Sequence, residues 1–308
     1  MDQPFASQSF SSAAPPFSGW LIVSDLDGTL LDDTYDLEAA AGAVNACTER
    51  GAVVSLASSK TYDEMLALAR LCRTAPVLIF ENGAGIAWPD DASAPLDGPR
   101  YRVELAGDGY PQLRSRLRSL RRRTGFNFLG FGDLSAKEVA SLTGLSEDGA
   151  RLARHRRACE PVLWLDSADA LVAFRDDIAA AGYRVVQGGR FHHVMPRTDK
   201  ARGLERVAAG LCAAQRPPAG RLRVVACGDA GNDLDMLAAA DLAVVFPNRA
   251  GGYLSVPGKA GTGAAIRAAV AGPACWSSTL QALLTDPPPA EAGPSRRVRG
   301  SSRSLIHE

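Results

Sequence analysis

The chain has 308 residues, enough for one large or two ordinary domains with their own cores, and its 34 basic residues balance 34 acidic ones. That balance excludes a global electrostatic attraction to nucleic acid or to an anionic membrane. No apolar run approaches the length of a membrane span, and six scattered cysteines without a CxxC pair read as small core residues of a reducing, cytoplasmic setting.

In chain order, residues 1–18 read as a flexible leader rich in Ser, Ala, Pro and Phe. Residues 20–24 form a strand that runs into Asp25 and Asp27. A helix follows over 37–50, closed by Gly51, then a strand over 52–57, a helix over 61–72 and a strand over 77–80. Short, almost continuous apolar runs of this kind are parallel strands buried on both faces.

The middle differs. A strand over 101–105 precedes two or three helices (110–123, 135–142 and 146–157). A strand over 161–165, a helix over 167–181 and two short strands around Gln187-Gly188-Gly189-Arg190 complete an α+β insertion spanning 88–196. The arginine runs at 114–123 and 151–157 are either solvated helix faces or a positive field for an anionic substrate. Strands return at 223–227 and 242–246, and residues 286–308 read as a disordered basic tail. The fold class is α/β: a doubly wound parallel, Rossmann-like sheet built from 19–87 and 197–285 and split by the insertion.

Open parallel sheets bind ligands at the carboxyl ends of their strands. Here those ends carry Asp25 and Asp27, then Ser58-Ser59-Lys60, then Glu81-Asn82-Gly83, then Gly228-Asp229-Ala230-Gly231-Asn232-Asp233, with Lys200 just after the insertion. Two carboxylates one residue apart at a buried strand end repel each other, and a hard divalent cation shared with Asp229 removes the conflict. Mg²⁺ joins carboxylates to phosphate, so one aspartate can attack phosphorus while its neighbour serves as acid and base. Gly28 and Thr29 offer a tight turn with free N–H groups for phosphate oxygens, and Ser58 and Lys200 can hold the same oxygens.

The stretches DLDGTLLD, Ser58 at a strand end, Lys200 in DKxxGL and GDAGNDLDML resemble the four motifs of the haloacid dehalogenase-like phosphatases. Within them, SSKT, ENGA, GFGDLSAKEVASLTGLSEDGARLARHRR, EPVLW and GGRFHHVM resemble the mannosyl-3-phosphoglycerate phosphatase family; the HRRACEP segment departs from its pattern. The resemblance implies that the insertion is a cap domain. It implies Asp25 as nucleophile through an aspartyl-phosphate, and Asp27 as general acid and base. It further implies Mg²⁺ held by Asp25, the Asp27 carbonyl and Asp229 with Asp233 in support, and phosphate bound by Ser58 and Lys200. Asn82 and Gly83 fall on the substrate loop, Asn232 is a further candidate for phosphate or substrate, and Arg190 is a candidate for the glycerate carboxylate or the sugar. Alternation turns one of His192 and His193 inward without saying which.

The implied substrate is a small phosphorylated sugar-glycerate, dephosphorylated to a hexosylglycerate compatible solute, with no nucleic-acid or membrane partner. A broad sugar-phosphate phosphatase, a phosphomannomutase-like phosphotransferase, and a binding protein without turnover are the competing readings.

Overall fold

The computed structural model describes residues 17–90, 99–188, 190–215, 222–259 and 264–286. The expected leader lies outside them apart from residues 17 and 18, and the expected tail apart from residue 286.

The first strands are β1 (Trp20–Ser24), β2 (Val53–Ala57), β3 (Val77–Phe80), β4 (Gly85–Pro89) and β5 (Tyr101–Leu105). Next come β6 (Phe128–Gly130), β7 (Glu160–Trp164), β8 (Tyr183–Gly188) and β9 (Phe191–Pro196), then β10 (Arg223–Gly228), β11 (Leu242–Val245) and β12 (Ala265–Arg267). The large sheet has the order β12-β11-β10-β1-β2-β3-β4-β5. Its strands from β12 to β3 are mutually parallel, whereas β4 and β5 are antiparallel additions at one edge.

Alternate side chains of this sheet face opposite layers, as the pleat requires. Ile22, Val54 and Leu78 pack on α1 (Leu37–Thr48) and α2 (Tyr62–Ala69), with Trp276 and Leu280 of a C-terminal helix on the same side. Leu21, Val23 and Ile79 face the other layer, which holds Leu204, Val207, Met236 and Leu237. Capping fixes where the first two helices start. Asp36 accepts the Ala39 N–H, and Thr61 with Glu64 forms a capping box. This is a doubly wound sheet.

The insertion has its own sheet, antiparallel in the order β6-β7-β9-β8. One face is covered by α3 (Tyr110–Thr124) and α6 (Ala168–Ala180) through Leu113, Leu117, Phe174 and Ile178. The intervening α4 (Ala136–Thr143) and α5 (Glu147–Arg154) pack with Phe131 and Leu134. The chain then returns through α7 (Lys200–Gln215), α8 (Leu234–Ala239) and α9 (Pro273–Thr285).

Two expectations change. The strand over 101–105 is not part of the insertion sheet; it pairs antiparallel with β4 (Ala87 opposite Val103) at the edge of the large one. Packing against the large core holds it there. Tyr101 meets the Tyr62 ring edge-on at 5.9 Å and donates its hydroxyl to the Pro76 carbonyl at 3.0 Å. The helix expected to reach residue 157 stops at Arg154, which frees residues 155–159 to run along the large domain. Among the described residues, no helix is long and apolar enough to cross a membrane.

Candidate active site

Strand order reverses between β1 and β10, since β2 and β3 lie on one side of β1 and β10 to β12 on the other. The carboxyl ends of those two strands carry Asp25 with Asp27 and Asp229 with Asp233, so the cluster forms at the topological switch point. Parallel pairing of Ser24 with Cys227 puts the two ends level. Gly28 then turns the chain at φ +82°, and a Cβ there would lie 2.7 Å from Asp229 Oδ2. Only glycine allows both the turn and the approach. Behind β1, buried Trp276 donates from Nε1 to Ser24 Oγ at 2.8 Å, and that hydroxyl donates to the Asp25 carbonyl at 2.7 Å. The indole thereby steadies the backbone that carries Asp25.

Asp199 caps α7, its Oδ1 accepting the Arg202 N–H at 2.8 Å, and so sets Lys200 on the first turn. The Lys200 side chain is 1% exposed and its Nζ donates to Asp25 Oδ1 at 2.5 Å and Asp233 Oδ1 at 2.7 Å. Burial pushes the Asp25 carboxyl up to about 8, and the Asp233 charge adds to the rise while Lys200 opposes it. Asp229 is raised for the same two reasons, against a 3.1 Å hydrogen bond from Thr29 Oγ1. Lys200 is raised: burial works against its ammonium, but the Asp233 and Asp25 charges prevail. Asp233 is spoken for on both oxygens, because Oδ2 accepts the Asp229 and Ala230 N–H groups at 3.2 and 3.1 Å. Its geometry makes it a holder of Lys200 and of the loop.

Asp25, Asp229 and Asp233 present oxygens that all lie within 4.8 Å of one another. Buried carboxylates this close, with one ammonium among them, fit a hard divalent cation that takes oxygen ligands. Asp25 and Asp229 are the best placed to give them, since Lys200 takes only Oδ1 of Asp25 and Asp229 is bonded by a hydroxyl rather than by a charge.

Asp27 sits across from this group. Its Oδ2 pairs with Lys60 Nζ at 2.9 Å, and Lys60 also donates to the Tyr35 hydroxyl at 3.1 Å. Its other oxygen, Oδ1, is buried and has no hydrogen-bond partner, an arrangement that calls for a ligand or water. Ser58 is buried and accepts the Lys60 N–H on Oγ at 3.2 Å. Asn82 at φ +56° is tied by its N–H to the Ser58 carbonyl, and its Oδ1 accepts Asn232 Nδ2 at 3.4 Å. Gly83 at φ +88° leaves room for the chain entering α7; a Cβ would fall 2.1 Å from the Asp199 carbonyl oxygen. These loops bring together Asp25, Asp27, Ser58, Asn82, Gly83, Lys200, Asp229, Asn232 and Asp233.

Arg190 is different. It lies exposed at the hairpin tip, and its guanidinium donates to the Leu142 carbonyl at the end of α4, inside the insertion. The two histidines separate cleanly. His192 shares its face with Val194, and burial, then the charge of Arg175 of α6, lowers its imidazole below the ordinary value. His193 shares its face with Met195, which packs on Ala84 of the large domain, and it meets Cys159 Sγ at 3.6 Å. Burial first, then the Arg156 charge, drops the His193 imidazole to about 3. Two residues went unassigned in the sequence, Lys60 and Glu81. Their signal was position, each standing at a strand end beside an assigned residue within the SSKT and ENGA stretches.

Comparison with known proteins gives the family and the fold. The family described as haloacid dehalogenase-like hydrolase matches residues 22–96. A Methanococcoides burtonii protein named glucosyl-3-phosphoglycerate/mannosyl-3-phosphoglycerate phosphatase is 33% identical over 239 residues, covering 76% of this chain and 86% of the relative. The chain belongs to the haloacid dehalogenase-like hydrolases, and it is a phosphoric monoester hydrolase. Its fold recurs in a solved structure from the phosphatases of that superfamily in Bacteroides thetaiotaomicron (TM-score 0.53, 20% identity, covering 89% of this chain and 97% of the other). It recurs also in a Thermotoga maritima crystal structure (TM-score 0.55, 17% identity, covering 85% and 96%).

Proposed function

We propose that this chain is a Mg²⁺-dependent phosphatase that hydrolyses a mannosyl- or glucosyl-3-phosphoglycerate to the hexosylglycerate, working in the cytoplasm. The observation that carries the chemistry is one buried ammonium shared by Asp25 and Asp233 beside Asp229, with the Asp27 Oδ1 atom left without a partner. The substrate class rests on the relative that is 33% identical.

Lys200 holds Oδ1 of Asp25, so Oδ2 is the oxygen free to attack phosphorus. The P–O bond to the glycerate breaks as the aspartyl-phosphate forms, and Asp27 gives its proton to the departing oxygen. Asp27 then takes a proton from the water that attacks the phosphorus, and phosphate leaves with Asp25 restored. Lys200 and Ser58 hold the phosphoryl oxygens as charge shifts between them, whereas the Gly28 and Thr29 N–H groups, expected to be free, are taken by the Leu31 and Leu26 carbonyls at 2.8 and 3.3 Å. Asp25, Asp229 and the Asp27 carbonyl would hold Mg²⁺, which would supply positive charge to the phosphoryl oxygens and offset the repulsion between the carboxylates. Lys60 keeps Asp27 oriented. The free thiols among the described residues suit a reducing compartment.

The test is phosphate release from mannosyl- and glucosyl-3-phosphoglycerate, 3-phosphoglycerate, mannose 6-phosphate and p-nitrophenyl phosphate, with Mg²⁺ and with chelator, beside Asp25→Asn. Preference for a glycosylated phosphoglycerate, lost in chelator and in the variant, is the expected result. Equal rates on simple sugar phosphates would overturn the substrate, and an active Asp25→Asn would overturn the nucleophile.

A further inference from the structure

The loop after β3 does more than carry Asn82. Glu81 is fully buried, and its carboxylate leaves the large domain to take three consecutive backbone N–H groups of the insertion. These are Arg157 at 2.8 Å on Oε1, and Ala158 at 3.0 Å and Cys159 at 2.6 Å on Oε2. Successive N–H groups converging on one anion form a strong cradle, and every bond is charge-assisted.

The insertion answers in kind. Arg156 is buried, its Nη2 donates to the Ser59 carbonyl of the large domain at 3.3 Å, and its Nε lies 3.8 Å from Glu81 Oε2. Thr61 Oγ1 adds a bond to the Leu152 carbonyl of α5 at 3.0 Å. Each unit thus sends a charged side chain into the other's backbone. The grip falls on two particular loops, since Ser59 stands between Ser58 and Lys60 and Glu81 precedes Asn82.

The backbone at this joint is unusual. Glu81 has φ +51° and Asn82 φ +56°, two successive left-handed residues without a glycine. Asparagine tolerates that region; glutamate does not, and it persists only where its surroundings hold it. The double turn sends the Glu81 side chain to the insertion while Asn82 reaches Asn232.

We propose that Glu81 and Arg156 are positioning residues whose joint sets the seat of the insertion over the strand ends, and that this seat gives the enzyme its preference for substrates large enough to touch both units. The inference rests on the phosphatase reading above and adds the residues that enforce its selectivity. A minimal phosphomonoester needs only the large domain, so the joint acts on it weakly.

The test uses the full chain with Glu81→Gln and, in parallel, Arg156→Lys, which keeps the charge but loses the forked donor set. Amide hydrogen exchange is followed over residues 157–159, and kcat and KM are measured on the preferred phosphorylated sugar and on p-nitrophenyl phosphate. Expected are faster exchange at 157–159 and a fall of about tenfold or more in kcat/KM for the sugar substrate, with the dye reaction changing by less than about threefold. Unchanged exchange, an equal fall on both substrates, or lower thermal stability with the preference intact would each overturn the proposal. A wild-type chain with no preference for any large substrate would overturn the selectivity claim and the substrate reading together. If instead wild type prefers a different phosphorylated sugar, the substrate reading fails alone and the joint is judged on that sugar.

Discussion

Replacing Lys200 by methionine isolates the electrostatics of the site. The ammonium lies 2.5 Å from Asp25 and 2.7 Å from Asp233, and all three side chains are at most 9% exposed. Methionine fills much of the same space, so the main loss is charge. Removing one member of a buried ion pair costs about 3–5 kcal/mol, because the partner stays buried and uncompensated. Here two partners are stranded, but the Asp25 carboxyl, already raised to about 8 with Lys200 present, relieves part of the cost by keeping its proton. A loss of about 3 kcal/mol is therefore expected near neutral pH, growing as pH rises and that proton is given up. Urea unfolding in chelator measures it, with Asp233→Asn and the double variant Lys200→Met/Asp233→Asn completing a cycle. The double variant should be more stable than Lys200→Met alone, because one stranded carboxylate has become a neutral amide. A Lys200→Met protein within about 1 kcal/mol of wild type, or losses that simply add in the double variant, would refute the reasoning.

Mg²⁺ at a hundredfold excess over its dissociation constant should stabilise the wild type by about 2.7 kcal/mol, and Asp229→Asn should lose most of that gain in thermal unfolding. An equal shift in both proteins would remove Asp229 from the metal site. For His193 the folded imidazole titrates near 3, below its ordinary 6.5, so its contribution to stability is complete above about pH 6.5 and is lost as pH falls toward the folded value. The ring is partly exposed, so wild type should lose about 1–2 kcal/mol more than His193→Gln between pH 7.5 and pH 5, and parallel curves for the two proteins would contradict this.

What could be read in the sequence was what short stretches decide. The parallel strands β1, β2, β3, β10 and β11 are continuous apolar runs, and the polar residues at their ends marked the site before any contact was known. Elements that depend on a partner were less legible. The three-residue β12 is a strand only because β11 offers it a ladder, and β5 joins the large sheet only because β4 turns back beside β3. The position of the histidines followed the same rule. Alternation separates His192 from His193, but a second layer on each side of β9 is needed to say which faces Ala84.

The site shows the same division more sharply. Asp25 and Asp27 announce themselves because two carboxylates at the end of an apolar strand violate ordinary packing, and Gly28 explains itself once Asp229 lies against it. Lys200 is 175 residues from Asp25, and only its return to the strand ends after the insertion, with the motif resemblance, linked them in advance. Trp276 had no such help, and Glu81, though it opens the ENGA stretch, carried no sign of its partners, which lie 76 to 78 residues away as that of Trp276 lies 252 away. These long-range bonds hold the strand-end loops, whereas the nearby spacing supplies the groups assigned to the reaction. The residues of the proposed phosphoryl step were therefore visible locally, while the parts that steady the proposed nucleophile and seat the insertion exist only once the chain has closed on itself. For that reason the variants that separate the two roles are distant ones: Lys200→Met acts on the carboxylates of the proposed site, and Glu81→Gln acts on the seat of the insertion without altering any group assigned to phosphorus.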